Sequence, residues 1–294
     1  MTMTDVPRPR RSALYLPASN AKALDKARTL PCDVVILDLE DAVAPEAKEA
    51  ARVQAAEAVR AGGFGRRELV IRTNGLDTPW GAEDLAAAAQ AGPDAILVPK
   101  VSSAADVVSY DKAIERAPAG TKLWAMIETC AALFALNEIA ATAKTTRLTT
   151  WVMGTNDLAK EMRCRQTADR APFWGPLSLS VAAARGHGLT ILDGVYNDIE
   201  NIEGLVAVCE QGVDFGFDGK TLIHPKQVEP CNLVFSPAPG EVDWARAVIE
   251  AFALPENAGK GAIRVEGRMA ELLHLQQARR LVAVSEAIAQ AGAS

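Results

Sequence analysis

Residues 123–128 read Leu123-Trp124-Ala125-Met126-Ile127-Glu128, and residues 150–157 read Thr150-Trp151-Val152-Met153-Gly154-Thr155-Asn156-Asp157. Each is a short apolar run that stops abruptly at polar residues and an acid. Runs this short and continuous fit strands buried on both faces, as in a parallel sheet covered by helices. The pattern recurs at residues 13–16, 34–37, 69–71, 95–98, 190–192 and 215–217, which completes a set of eight. Alanine-rich stretches with apolar residues at helical spacing lie between them, for example at 46–61, 82–91, 104–117 and 199–211. Eight alternating units predict an α/β fold closed into a (β/α)8 TIM barrel rather than an open doubly wound sheet. The open sheet also lacks its glycine-rich phosphate fingerprint, because the first strand runs into Pro17-Ala18-Ser19-Asn20. Ser19 or Asn20 suits the N-cap of the helix that follows.

Working outward, residues 1–10 read as a flexible N-terminus, 11–235 as the barrel and 236–294 as a C-terminal helical extension. Pro225, Pro230, Pro237, Pro239 and Gly240 break the chain after the eighth strand. A helix near 242–252, a Gly/Ala-rich loop at 257–262 and a last helix at about 269–289 are expected to follow. This extension exceeds what an eighth helix requires. It is either a packing appendage or an arm that packs on a neighbouring subunit.

The 294 residues are 49% hydrophobic and 23% charged, an ordinary globular composition. A net charge of −6 and a pI near 5.3 speak against a nucleic-acid partner. Arg8, Arg10 and Arg11 precede no apolar stretch of the kind a secretory signal needs. No run approaches the roughly 18 apolar residues of a membrane span, so a soluble, cytoplasmic protein is expected. Cys32, Cys130, Cys164, Cys209 and Cys231 are scattered and read as free thiols.

In such a barrel, function resides where the strands end. Strand two ends in Asp38-Leu39-Glu40-Asp41, strand three in Arg72-Thr73-Asn74-Gly75 and strand four in Pro99-Lys100. Strands five and six end in Glu128 and in Gly154-Thr155-Asn156-Asp157, seven in Asp193-Gly194 and eight in Asp218-Gly219-Lys220. Any one of these acids or lysines is more often a cap or an ion-pair partner. Their convergence on one mouth is the signal, since crowded acids repel unless a cation neutralises them. With only three histidines and no thiolate cluster, oxygen ligands favour Mg²⁺ or Mn²⁺ over zinc. Adjacent strands five and six let Glu128 and Asp157 reach one ion.

The order Arg11-Ser12-Ala13-Leu14-Tyr15-Leu16-Pro17, Asp38-Leu39-Glu40-Asp41-Ala42-Val43, Arg72-Thr73-Asn74-Gly75, Pro99-Lys100, Ile127-Glu128-Thr129, Asp157-Leu158-Ala159 and Gly216-Phe217-Asp218-Gly219-Lys220 resembles the citrate lyase beta-subunit-like proteins. These include malyl-CoA, citramalyl-CoA and citryl-CoA lyases, and the likeness covers nearly the whole chain. The resemblance implies Mg²⁺ on Glu128 and Asp157, Arg72 on a substrate carboxylate, and Glu40 and Asp41 holding metal-bound waters. It also implies a homo-oligomer, commonly a trimer, in which a carboxylate of the C-terminal segment completes a neighbour's site. The family's Gly-x-Met-Val-Asp-x-Pro appears here as Gly267-Arg268-Met269-Ala270-Glu271-Leu272-Leu273. Glu271 thus stands for the aspartate acid/base, and Asn156 stands where an acid is frequent.

The chemistry so implied is cleavage of a 3-hydroxyacyl-CoA into an acyl-CoA and a 2-oxo acid. Glu271 would exchange the proton, while Arg11, Lys22 and Lys100 are candidates for the CoA pyrophosphate. Lys22 reads equally well as a solvated helix residue. The same residues would serve an acyl-CoA thioesterase. Other readings are a CoA-independent 2-oxo-acid aldolase, a citrate lyase complex subunit working on a carrier protein, and a barrel whose chemistry has lapsed.

Overall fold

The computed structural model describes residues 8–292. Residues 1–7 of the expected flexible N-terminus lie outside the described residues. Two compact units are present, Arg10–Phe235 and a unit built mainly from Ser236 onward.

The first unit is a closed parallel barrel of β1 (Ser12–Pro17), β2 (Val34–Asp38), β3 (Glu68–Arg72), β4 (Ala95–Val98), β5 (Lys122–Ile127), β6 (Leu148–Met153), β7 (Thr190–Asp193) and β8 (Gly219–Leu222). β1 pairs with β8 and closes the ring. Side chains alternate along each strand. Ala13, Tyr15, Val34, Ile36, Val70, Leu97, Trp124, Met126, Val152 and Leu192 fill the barrel interior. Their neighbours Leu14, Val35, Ile71, Ile96, Ala125, Trp151, Ile191 and Leu222 pack outward with the helices. Asn20 caps the first helix, its side chain accepting from the Ala23 N–H at 3.1 Å.

Seven strands lie where the sequence pattern places them. The eighth does not. Phe215 ends the helix Ile202–Phe215, and Gly216 turns left-handed (φ 91°) as its cap. The strand starts at Gly219, where any side chain would strike the Arg10 and Arg11 carbonyls. Two aromatics flanking a glycine imitate a strand, whereas β8 itself, Gly-Lys-Thr-Leu, carries no apolar run.

The amino end of the barrel is plugged. Arg10 donates to both Glu68 oxygens at 2.6 and 2.8 Å and to Thr190 Oγ1 at 3.0 Å, and it lies over the Trp124 ring. Contacts at this end serve stability, since catalysis in this fold belongs to the opposite end.

The second unit holds the helix Pro239–Ala253, an antiparallel pair β9 (Ala262–Val265) and β10 (Arg268–Glu271), and the helix Leu272–Gly292. Val248, Ile263, Val265, Ala270 and Leu275 form its core. The hairpin replaces the expected start of the last helix at about residue 269. Glu266 and Gly267 both have positive φ (47° and 83°), the conformation of a tight two-residue hairpin turn. The alternation of Ile263 and Val265 is too short to stand out in the sequence.

Candidate active site

Asp38 and Arg72 end adjacent strands in direct register, on the same inward alternation as Ile36 and Val70. Arg72 donates through Nε and Nη2 to Asp38 at 2.6 and 2.7 Å, a bidentate pair that fixes the plane of the guanidinium. Asp38 also accepts from the Glu40 and Ala42 N–H groups at 3.0 and 3.1 Å, so one carboxylate shapes the whole turn after β2. The guanidinium lies 4.7 Å from the centre of the Tyr15 ring. Burial alone would lower its pKa, but Asp38, Tyr15 and Glu40 hold it well above the usual arginine range.

The remaining Arg72 nitrogen, Nη1, lies 2.8 Å from Glu40 Oε2 and 3.5 Å from Asp41 Oδ2. No hydrogen is directed along the first contact, so Glu40 Oε2 is a buried acceptor without a hydrogen-bond partner. Burial raises the Glu40 carboxyl, opposed by Arg72 and Lys100 and reinforced by Asp41. The turn is pinned from below by Lys48, whose buried ammonium donates to the Leu39 and Glu40 carbonyls and to Asn74 Oδ1 at 2.8–2.9 Å. Asn74 in turn donates to the Leu39 carbonyl and to Asp84.

Lys100, after β4, has a left-handed backbone (φ 52°). Its N–H donates to Glu128 Oε1 at 2.8 Å and its ammonium to Glu40 Oε1 at 3.1 Å. Partial burial would lower that ammonium, but Glu40, Glu128 and Asp157 raise it above the lysine range.

Glu128 follows β5 and is pushed up to about 8, first by burial and then by Glu40 and Asp157, against the Lys100 N–H and Arg72. Gly154, which ends β6, makes room for it: a methyl there would strike the Glu128 carboxylate and come within 2.5 Å of its Cβ. Asp157 lies in the first turn of the helix Thr155–Met162. Glu128, Asp157, Arg72, Asp38, Asp41 and Tyr15 all line one cavity of about 260 Å³.

This donor set fits a hard divalent cation. Glu128 is pushed up to about 8 first by burial and then by Glu40 and Asp157, and Glu40 Oε2 beside it accepts no hydrogen bond; a bound cation would relieve both. Among the described residues no three or more His, Cys, Asp or Glu side chains converge with ligating geometry. Two carboxylates are within the number Mg²⁺ usually takes from protein, the rest being water and substrate.

The structure therefore gathers Glu40, Asp41, Arg72, Lys100, Glu128 and Asp157 at one mouth. Lys22 is exposed on the helix after β1. Arg11 is placed elsewhere: it immediately precedes β1 at the barrel's amino end and is locked to Asp33 at 2.8 and 2.9 Å. That position is incompatible with gripping a ligand at the mouth. Asp193 and Lys220 also leave the mouth. They share the outward alternation of Ile191 and Leu222, and Lys220 donates to Asp193 at 2.8 Å inside the helix layer. Arg170 donates to both Asp193 oxygens at 2.7 and 2.8 Å, and Lys220 lowers the Asp193 carboxyl against its burial, with Arg170 adding to the effect. Asp218 precedes β8 and accepts from Arg185 and the Ile191 N–H. Glu271 is exposed at the end of β10. Lys48 carries no sequence signal, standing in an alanine-rich helix, while Asp38 and Gly154 lie inside the quoted motifs with roles that only contacts reveal.

A closed parallel barrel with a buried arginine and an acid-lined mouth at its carboxyl end has the layout of a barrel enzyme. Residues 11–225 match the model of the HpcH/HpaI aldolase/citrate lyase family, and the chain belongs to that family of enzymes. It is 49% identical, over 97% of its length and 98% of the relative's, to a (3S)-malyl-CoA thioesterase of Cereibacter sphaeroides. It is 35% identical, over 96% of both, to an L-malyl-CoA/beta-methylmalyl-CoA lyase of the same organism. The CitE protein of Mycobacterium tuberculosis, solved with magnesium, acetoacetate and coenzyme A, superposes with a TM-score of 0.76 at 28% identity, covering 95% of this chain and 98% of that one. No helix among the described residues is long and apolar enough to cross a membrane.

Proposed function

We propose that this enzyme hydrolyses the thioester of a malyl-CoA-type 3-hydroxyacyl-CoA at a Mg²⁺ site on Glu128 and Asp157. The likeness that carries this reading is the 49% identity to a (3S)-malyl-CoA thioesterase along almost the full length of both chains. It reverses the order expected from sequence, in which carbon–carbon cleavage stood first and hydrolysis was the alternative. Asp38 occupies one edge of the Arg72 guanidinium and Glu40 and Asp41 lie beside Nη1, so a substrate carboxylate would bind Arg72 by sharing Nη1 with these acids. Glu128 and Asp157 would hold a divalent ion, which when bound would supply Lewis acidity to the reacting carbonyl.

Glu271 of a neighbouring subunit is the proposed base that takes a proton from the attacking water, in a homotrimer. Exposure supports this: Glu271 stands among Met269, Leu272 and Leu273, which are half or more exposed, as an oligomer contact requires. Lys22 is the remaining candidate for the CoA pyrophosphate. A second reading, cleavage to an acyl-CoA and a 2-oxo acid, is favoured by the 35% identical lyase, because both reactions use the same metal, arginine and carboxylate.

The deciding experiment incubates the purified chain with Mg²⁺ and malyl-, citramalyl- or citryl-CoA and resolves the products. Free CoA with the intact hydroxy acid is the expected result. Acyl-CoA with a 2-oxo acid selects the second reading. No turnover of any free CoA thioester refutes both and leaves a carrier protein or a free hydroxy acid as substrate.

A further inference from the structure

The loop after β4 acts on the mouth through two separable parts of Lys100. Its backbone holds a left-handed conformation that L side chains rarely adopt, and the N–H so presented donates to Glu128 at 2.8 Å. Its side chain turns to Glu40 at 3.1 Å and remains about half exposed (49%). The two cations at this mouth are differently held. Arg72 is buried and tied to Asp38 by two hydrogen bonds, so it cannot leave. The ammonium of Lys100 has a single contact on a flexible stem. Facing these two cations are Asp38, Glu40, Asp41, Glu128 and Asp157, and Glu40 Oε2 has no hydrogen-bond donor.

We propose that Lys100 is a positioning residue with two arms: its backbone holds Glu128 in place, and its ammonium is a resident counter-ion for Glu40 that a divalent cation displaces. This rests on the metal reading above and revises the pyrophosphate role expected for Lys100. A side chain at 3.1 Å from Glu40 is already engaged, and it faces the acids. Ammonium and ion then compete for one negative field. Removing the ammonium therefore tightens ion binding in the absence of substrate, whereas a residue that merely orients the acids would weaken it when lost.

The test uses the full-length protein and Mn²⁺ alone, with free Mn²⁺ followed by electron paramagnetic resonance. Lys100→Met removes the charge while leaving the backbone N–H and the same left-handed demand. It is expected to bind Mn²⁺ tighter by on the order of tenfold, as loss of a like charge beside a half-exposed site implies. In a Glu40→Gln background the gain shrinks, because the charge that the ammonium neutralised is gone. Equal or weaker Mn²⁺ binding by folded Lys100→Met overturns the proposal. Should that variant fail to fold, Lys100→Gly, which suits the left-handed backbone and keeps the N–H, decides by the same criterion. A wild-type protein that binds no Mn²⁺ refutes the metal reading itself, a result distinct from unchanged affinity in the variant.

Discussion

Gly154→Ala tests the mouth with a single methyl group. The added Cβ would lie 2.5 Å from Glu128 Cβ and 3.0 Å from Met126 Cε. Carbon atoms rest comfortably at roughly 3.5 Å or more, so β5 and β6 must part by about 1 Å where they end. A rotamer change cannot relieve this, because the Glu128 Cβ is fixed to its backbone and the Gly154 N–H is bonded to the Ile127 carbonyl at 3.0 Å. Overpacking of this kind costs about 1–3 kcal/mol. In a barrel of this size that lowers the melting temperature by roughly 2–4 °C per kcal/mol. The larger effect is on chemistry, since a misplacement of about 1 Å costs on the order of a hundredfold in rate. Calorimetric Mn²⁺ binding, turnover and thermal melts of the variant measure all three. Gly175→Ala, in a helix where a methyl meets nothing within 4 Å, is the control and leaves each unchanged. Full ion affinity and turnover in Gly154→Ala would show that Glu128 need not stand where the structure has it.

Two further outcomes follow from the charges. Glu128 moves from an ordinary 4.5 to about 8, so the native state keeps a proton that the unfolded chain releases, and stability without a divalent ion falls as pH rises between those values. An ion needs the ionised carboxylate, so the melting-temperature gain on adding Mg²⁺ grows from about pH 6 to pH 8.5; a flat gain, or an equal one in Glu128→Gln, refutes the ligand assignment. Lys220→Met removes the ammonium's hydrogen bonds to Asp193 and the Gly194 carbonyl while Arg170 still pairs with Asp193, and the unsatisfied buried acceptors lower stability by about 1–3 kcal/mol in urea unfolding. Because that set faces the helices, Mn²⁺ affinity stays as in the wild type, and a collapse of affinity without lost stability would return Lys220 to the mouth.

The barrel was legible because burial on both faces of seven strands leaves continuous apolar runs, and the helices between them keep their own period. β8 was not, since its outward lysine is neutralised by Asp193 rather than replaced by an apolar residue. At the mouth, Glu128, Asp157, Arg72, Glu40 and Lys100 could be found from where strands end. Their supports could not. Lys48 reaches the Glu40 turn from a helix, and Gly154 matters for what it lacks; both depend on contacts between segments far apart in sequence. Arg11 shows the opposite failure, because a motif residue just before β1 is separated from the mouth by the whole length of the strand.

The same composition at a strand end thus serves opposite purposes, and a step of one residue separates them. Asp38 shares the inward alternation of Ile36 and meets Arg72 with one edge of the guanidinium left open to the cavity. Asp193 stands one residue beyond inward Leu192 and meets Lys220 and Arg170 with no exposed surface at all. In the second set two cations pair with the one acid and no carboxylate is left over, so it calls for no cation from outside. The first is short of positive charge: Glu40 keeps an acceptor without a donor, and burial and neighbouring acids push Glu128 up to about 8. A folded protein tolerates such an imbalance only where something else balances it, and at a half-open cavity that something can be exchanged. The deficit of charge, rather than the presence of acids, is what supports the cation proposed for this mouth.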